Sequence, residues 1–245
     1  MPEQLWVTAI LNRLFAAPVT ALLRAIHIEP RHPQAPIPNT FAMEVLVFLF
    51  LLVLFLMLRS RLSVERPGAL QHIFEGAEGF IHQQSQEIIG HHSEGYTPFL
   101  ATLGFFILFC NLIGLIPGFE SPTMNPAVPL GCAMLVFVYY NFMGFWQQGV
   151  FRYLAHFAGP IWWLSWLMIP IEIISHLSRP MSLTIRLFAN MLAGDQVTLA
   201  ILGLTYLVAP VAFMGLHIFV SFLQAYIFVL LTMMYLSETV PHEQH

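Results

Sequence analysis

Between residues 161 and 204 the chain runs for about 44 residues without a polar loop, and an arginine, Arg186, lies inside that run. Drawn as one α-helix, the run would be about 65 Å long, whereas a bilayer core of about 30 Å needs only about 20 residues. A second run, 207–236, adds about 30 residues, or about 45 Å. Either these segments break repeatedly, or they cross a membrane at an inclination well beyond the average tilt of about 20°. Pro170, Pro180 and Gly194 are possible kink points in the first, and Pro210 marks the turn into the second. Polar groups recur along both runs with no loop signature, so the expectation is two long, inclined helices joined near 205–210.

Burying Arg186 near the middle of a membrane helix costs from roughly 3 to over 10 kcal/mol, depending on how it is measured. At about 100° per residue, Ser182, Ala189 and Ala193 fall within roughly 20° of one another, with Arg186 about 40° to one side. Small residues beside a charge let another helix approach and meet the guanidinium. Asn190 stays on nearly the same face, whereas Asp195 points roughly opposite, so Arg186 and Asp195 are not an intrahelical pair. Two readings of Arg186 stand side by side here: a functional charge, or a structural one that snorkels to a surface or neutralises a buried acid.

With 58% hydrophobic and 9% charged residues in 245, the composition is that of an all-α polytopic membrane protein. The basic residues are all arginine and form no basic run, so nucleic-acid binding has no support. Cys110 and Cys132 lie in apolar segments and imply no disulfide framework. His82, His91 and His92 lack the HExxH or comparable spacing of a metal site, and no metal or other cofactor is expected.

The organisation read along the chain has two parts, an N-terminal external or interfacial segment with linker at 1–40 and a single membrane-embedded domain at 41–245. Residues 4–26 read as an interfacial helix interrupted by Pro18, and 29–38, with four prolines, as an extended linker. The clearest crossing is 41–58; Arg59, Arg61 and Arg66 place its C-terminal end in the cytoplasm and Glu44 at the external face, against the milder opposite pull of Arg13, Arg24 and Arg31. From 67 to 89 apolar residues recur at three- and four-residue spacing, the pattern of an amphipathic helix on the cytoplasmic surface or against a partner. A hairpin follows: 97–116 out, an external turn at 119–128, and 130–146 back toward Arg152. Asn111 and Asn141 read as interhelical hydrogen-bond donors and acceptors. The tail at 237–245 is polar and, by counting crossings, cytoplasmic, with the N-terminus external.

So threaded, the first long segment carries Glu172 and His176 toward the cytoplasm, Arg186 near the middle and Asp195 toward the outside. On the returning helix His217, Ser221 and Gln224 share one face, with His217 near Asp195 and Gln224 deeper, near Arg186. The order is that of two staggered aqueous paths with a cation between them. Carboxylates and histidine suit proton relay because burial and neighbours move their pKa values toward neutrality. Arginine, permanently charged, suits a gate. Each group also has a bland reading: Glu172 as a structural acid, Asp195 with His217 as a structural pair, Gln224 as helix-packing glue.

The motif SRPMSLTIRLFANMLAGD around Arg186, the block HIFVSFLQAYIFVLLTMMYLS from His217, PIEIISH ahead of the arginine and NLIGLIPG from Asn111 together resemble subunit a of the F-type ATP synthase, the stator channel protein of its membrane sector. The likeness covers most of the last two thirds of the chain and little of the first forty residues. It implies one N-terminal crossing, a membrane-surface helix, a hairpin and two long tilted helices packed against a rotating ring of c subunits. By this resemblance Arg186 matches the essential arginine facing the ring's carboxylates, Gln224 the glutamine beside it and Asn190 the polar residue one turn along. Asp195 and His217 match an acid, more often glutamate, and a histidine of the external half-channel, while Glu172, with His176 close by, matches the acid of the cytoplasmic one. Further implications are b-type peripheral stalk subunits, the rest of the ATP synthase and membrane lipid as partners, a bacterial inner-membrane location, and a proton-translocating rather than catalytic subunit without a nucleotide site. A self-contained ion-coupled secondary transporter is the rival class, though no internal repeat supports it. An intramembrane hydrolase would show a GxSxG or HExxH motif or paired catalytic aspartates, and none of these is evident.

Overall fold

The computed structural model describes residues 5–25, 36–63, 67–90, 93–116, 118–149, 165–204 and 208–239. Among these, seven α-helices form and no strand: α1 (Trp6–Ala25), α2 (Asn39–Ser60), α3 (Ala69–Ile89), α4 (Thr97–Ile113), α5 (Ala127–Gln148), α6 (Ser165–Leu204) and α7 (Val208–Thr239). Three helices are long and apolar enough to cross a membrane, namely α2, α5 and the Val211–Thr239 part of α7; α4 is apolar but shorter. In α6 charged and polar residues interrupt the apolar sequence, yet it runs unbroken for 40 residues, about 60 Å, through Pro170 and Pro180. The chain is therefore an all-α polytopic membrane protein with two overlong helices at its C-terminal end. Their joint, the linker at 29–35, His91, His92 and the tail beyond 239 lie outside the described residues.

A four-helix core organises the fold. From α4 come Leu100, Leu103 and Ile107, from α5 Ala133, Val136 and Tyr140, from α6 Leu183, Leu187 and Met191, and from α7 Phe228, Val229, Met233 and Leu236. On α6 the buried trio is spaced by four, one stripe of a helical face, and the opposite side is left outward. Gly104 lets α4 approach α7 so closely that a Cβ there would stand 2.9 Å from Cγ2 of Val229. A second cluster joins Met43, Val47 and Leu51 of α2 to Cys110 and Ile113 of α4.

Two peripheral helices differ in detail from the sequence reading. The helix α1 continues through Pro18 and packs on α2, where the buried Asn12 side chain exchanges two hydrogen bonds with the backbone of Ile37, 3.0 and 3.1 Å long. The amphipathic α3 lays part of its apolar stripe on the chain's own α4 and α7, with Phe74 against Phe105 and Phe80 against Tyr226, while Leu70 and Ile73 stay exposed. His82 contacts Thr97 and Gln86.

The turn after α4 explains the NLIGLIPG motif. Asn111 does not reach another helix: its Oδ1 accepts from Oγ1 of Thr123 at 2.8 Å, and Ser121 donates to the Cys110 carbonyl at 2.9 Å. Gly114 is required because a Cβ there would stand 2.7 Å from Cβ of Ser121 and 3.1 Å from its backbone nitrogen, and Gly118 has φ of +90°, where glycine is at no disadvantage. Asn141 donates to the Phe137 carbonyl one turn back in its own helix.

Candidate functional site

Along α6 the polar residues fall into three groups, each completed by α5 or α7. The middle group contains Arg186. It is half-buried, and among the described residues it makes no hydrogen bond or ion pair. Ser182, Ala189 and Ala193 are exposed beside it, together with Met181 and Ile185, so the guanidinium borders an outward face of small and apolar side chains. One turn on, Nδ2 of Asn190 donates to Oε1 of Gln224 at 2.8 Å, and Gln224 is only 1% exposed. A buried primary amide needs such a partner, and Asn190 supplies it.

The second group lies about 21 Å along the helix axis from Arg186, at Glu172. Glu172 and His176, one turn apart, meet at 3.3 Å, and Nδ1 of His176 lies 3.1 Å from the Tyr140 hydroxyl of α5. Arg179 follows on the same face. Its guanidinium contacts Glu238 of α7 at 2.6 Å and sits over the Tyr235 ring, 4.9 Å from the centroid, with Tyr140 at 5.9 Å. One of its nitrogens, Nη1, is buried with no hydrogen-bond partner among the described residues.

The third group is at Asp195, about 13 Å beyond Arg186 in the other direction. The His217 ring packs on Gly194, so tightly that a Cβ there would be 3.1 Å from Cε1 and from Nδ1. Asp195, the next residue along α6, is half-buried. Ser221 shares the face of His217, but its hydroxyl is buried and donates to the His217 carbonyl at 2.8 Å. That backbone bond occupies the proton of Ser221.

The structure thus brings Asn190 to Gln224, Asp195 to the neighbourhood of His217, and Glu172 to His176, and it leaves Arg186 between them without an acid among the described residues. Sequence reasoning missed Tyr140, Tyr235 and Glu238. Arg179 carried the signal, since a second arginine in the same run needs a partner, and the only acid within one helical turn of the end of the last apolar run is Glu238.

Comparison with known proteins identifies the family to which the chain belongs. The family model described as ATP synthase A chain matches residues 41–237. The ATP synthase subunit a of Koribacter versatilis is 55% identical over 242 residues, covering 99% of both chains. That of Solibacter usitatus is 59% identical over 212 residues, covering 86% of this chain and 91% of the relative. That of Sulfurimonas denitrificans is 42% identical over 195 residues, covering 79% and 87%. The stretch left out by the family model at the N-terminus is the one in which the motifs above were absent. The match to the family model over residues 41–237 and the identity to these relatives over most of their length make this chain a member of the ATP synthase A chain family.

Proposed function

We propose that this chain is the stator proton channel of an F-type ATP synthase, in which Arg186 faces the ion-binding carboxylates of a rotating c ring and water reaches that face by two offset paths. The observation that carries the reading is Arg186 itself: a half-buried guanidinium midway along α6, on an outward face of small side chains, with no acid of its own chain among the described residues. A charge held so is stable in a membrane when a neighbouring subunit supplies the counter-charge. Family membership points to a multisubunit machine, against a self-contained secondary transporter.

In this mechanism a proton enters from the outside past His217 and Asp195 and neutralises a rotor carboxylate, which then turns into lipid. After the ring has turned, the proton leaves toward the cytoplasm by the path near Glu172 and His176. Arg186 favours the ionised carboxylate, a bias of typically one to three pKa units for a neighbouring cation, and so promotes release and blocks a direct leak between the paths. The Asn190 to Gln224 bond holds α6 and α7 together beside it. The membrane potential contributes about 2.3 kcal/mol per charge per 100 mV. Peripheral stalk subunits hold the chain still, and ATP is made elsewhere in the complex. The chain lies in the inner membrane of a bacterium, N-terminus outside and C-terminus in the cytoplasm. The test is Arg186→Ala in the assembled complex reconstituted into vesicles. ATP-driven proton uptake should be abolished, and retained coupled pumping would overturn the role.

A further inference from the structure

Arg179 is a second guanidinium on the same helix, about 10 Å along the axis from Glu172 and about 10 Å from Arg186. Glu172, His176 and Arg179 fall within roughly 60° of one another around α6. A positive charge at that place would oppose a proton moving from the level of Arg186 to Glu172. The structure answers it with Glu238, whose Oε2 contacts Nη2 of Arg179 at 2.6 Å, and with the Tyr235 ring beneath the guanidinium. Glu238 comes from the last turn of α7, so the opposite end of the chain's final helix supplies the neutralising charge.

We infer that Arg179 and Glu238 form a neutral couple that removes a charge barrier from the Glu172 side of the proton path, Glu238 acting as a positioning residue and not as a relay. The inference rests on the reading of Glu172 as part of that path. The guanidinium pairs with Glu238 and stacks on Tyr235, while Glu172 pairs with His176, which in turn reaches the Tyr140 hydroxyl. Of the two arginines of α6, Arg186 is then the one without an ion pair to an acid among the described residues.

The test compares Glu238→Gln with the double variant Arg179→Gln/Glu238→Gln in the assembled complex in vesicles, read as passive proton conduction and as ATP-driven pumping. Glu238→Gln exposes an uncancelled charge, and conduction should fall about tenfold, the effect of a unit charge acting over about 10 Å at an effective dielectric constant near 20. The double variant, with no charge at either place, should recover at least half of the loss on a logarithmic scale. A purely structural clamp predicts the reverse, because the double variant lacks both halves of the clamp. Unchanged conduction in Glu238→Gln, or a double variant no better than the single, overturns the inference. If Glu238→Gln fails to assemble, the double variant is measured against wild type, and a drop of tenfold or more in an assembled complex overturns it equally. Glu172→Gln in parallel separates the two claims: normal conduction there refutes the path, whereas loss there with no effect of Glu238→Gln refutes only the couple.

Discussion

Asn190 and Gln224, thirty-four residues apart in the chain, share one hydrogen bond of 2.8 Å that pins α6 to α7 one turn beyond Arg186. Because Gln224 is buried, the bond contributes through what its loss leaves behind, a buried amide without a partner, at about 1–3 kcal/mol. Asn190→Ala and Gln224→Leu should therefore be non-additive. We expect a coupling energy of about 1 kcal/mol in a double-mutant cycle on pumping rates, a factor of about five. Strictly additive rates would show that the bond contributes nothing to function.

Replacing Arg186 by lysine tests whether charge alone suffices. Lysine is a compact cation whose pKa falls on burial, whereas arginine stays charged and presents a planar fork. Arg186→Lys should lose at least tenfold in coupled pumping while assembling normally. Pumping near the wild-type rate would show that a point charge serves as well.

Asp195→Ala and His217→Ala should each slow proton uptake from the side of Asp195 without preventing assembly, because neither side chain belongs to the buried core. Proton flux in oriented vesicles measures this, and near-normal flux in both variants would remove the pair from the path.

The contact between Gly194 and His217 gives a geometric test of how α6 and α7 are aligned. Cγ of His217, where a cysteine sulfur would stand in the same rotamer, lies 3.7 Å from where a Gly194 Cβ would stand, so the sulfurs of cysteines at both positions come within cross-linking reach. With Cys110 and Cys132 replaced by alanine, Gly194→Cys/His217→Cys should cross-link on mild oxidation. An uncross-linked pair would mean that the helices are offset from the register described.

Gly114→Ala places a methyl group against Cβ and backbone nitrogen of Ser121, at 2.7 and 3.1 Å. The turn between α4 and α5 must then shift and break the Ser121 and Thr123 hydrogen bonds, at a cost of about 1–3 kcal/mol. Thermal denaturation of the assembled complex should occur at lower temperature, and an unchanged midpoint would show that the turn yields freely.

Much of this architecture was legible because membrane helices must be apolar over a bilayer's thickness and polar residues inside them stand out. The runs at 41–58 and 130–146 became α2 and α5 with ends extended by a few residues, and the overlong run became the single helix α6. Arg186, Asp195, His217 and Gln224 could be named because a charge or amide in such a run is costly. Tyr140 and Tyr235 could not, since a tyrosine in an apolar run reads as packing until its hydroxyl or ring is seen against a neighbour. Glu238 was hidden by a boundary: hydropathy ends the last run at 236, whereas the helix runs to Thr239 and turns that acid toward Arg179. The periodicity of α3 defined its apolar stripe but not the surface that covers it, which depends on where α4 and α7 lie. Nothing in the spacing of Gly114 announces the approach of Ser121, because loop closure depends on contacts remote in sequence.

Because Glu172, Arg186 and Asp195 ride on one unbroken α6, their spacing along the axis is fixed, and a tilt of the helix about a point near the guanidinium would move the outer two in opposite directions. Glu172 stands about 21 Å and Asp195 about 13 Å from Arg186 along the axis, so a tilt of about 5° swings them in opposite directions by about 1.8 and 1.2 Å, a large part of a hydrogen-bond length. A push on either arm of the helix, away from that point, would shorten the reach at one end as it lengthened it at the other.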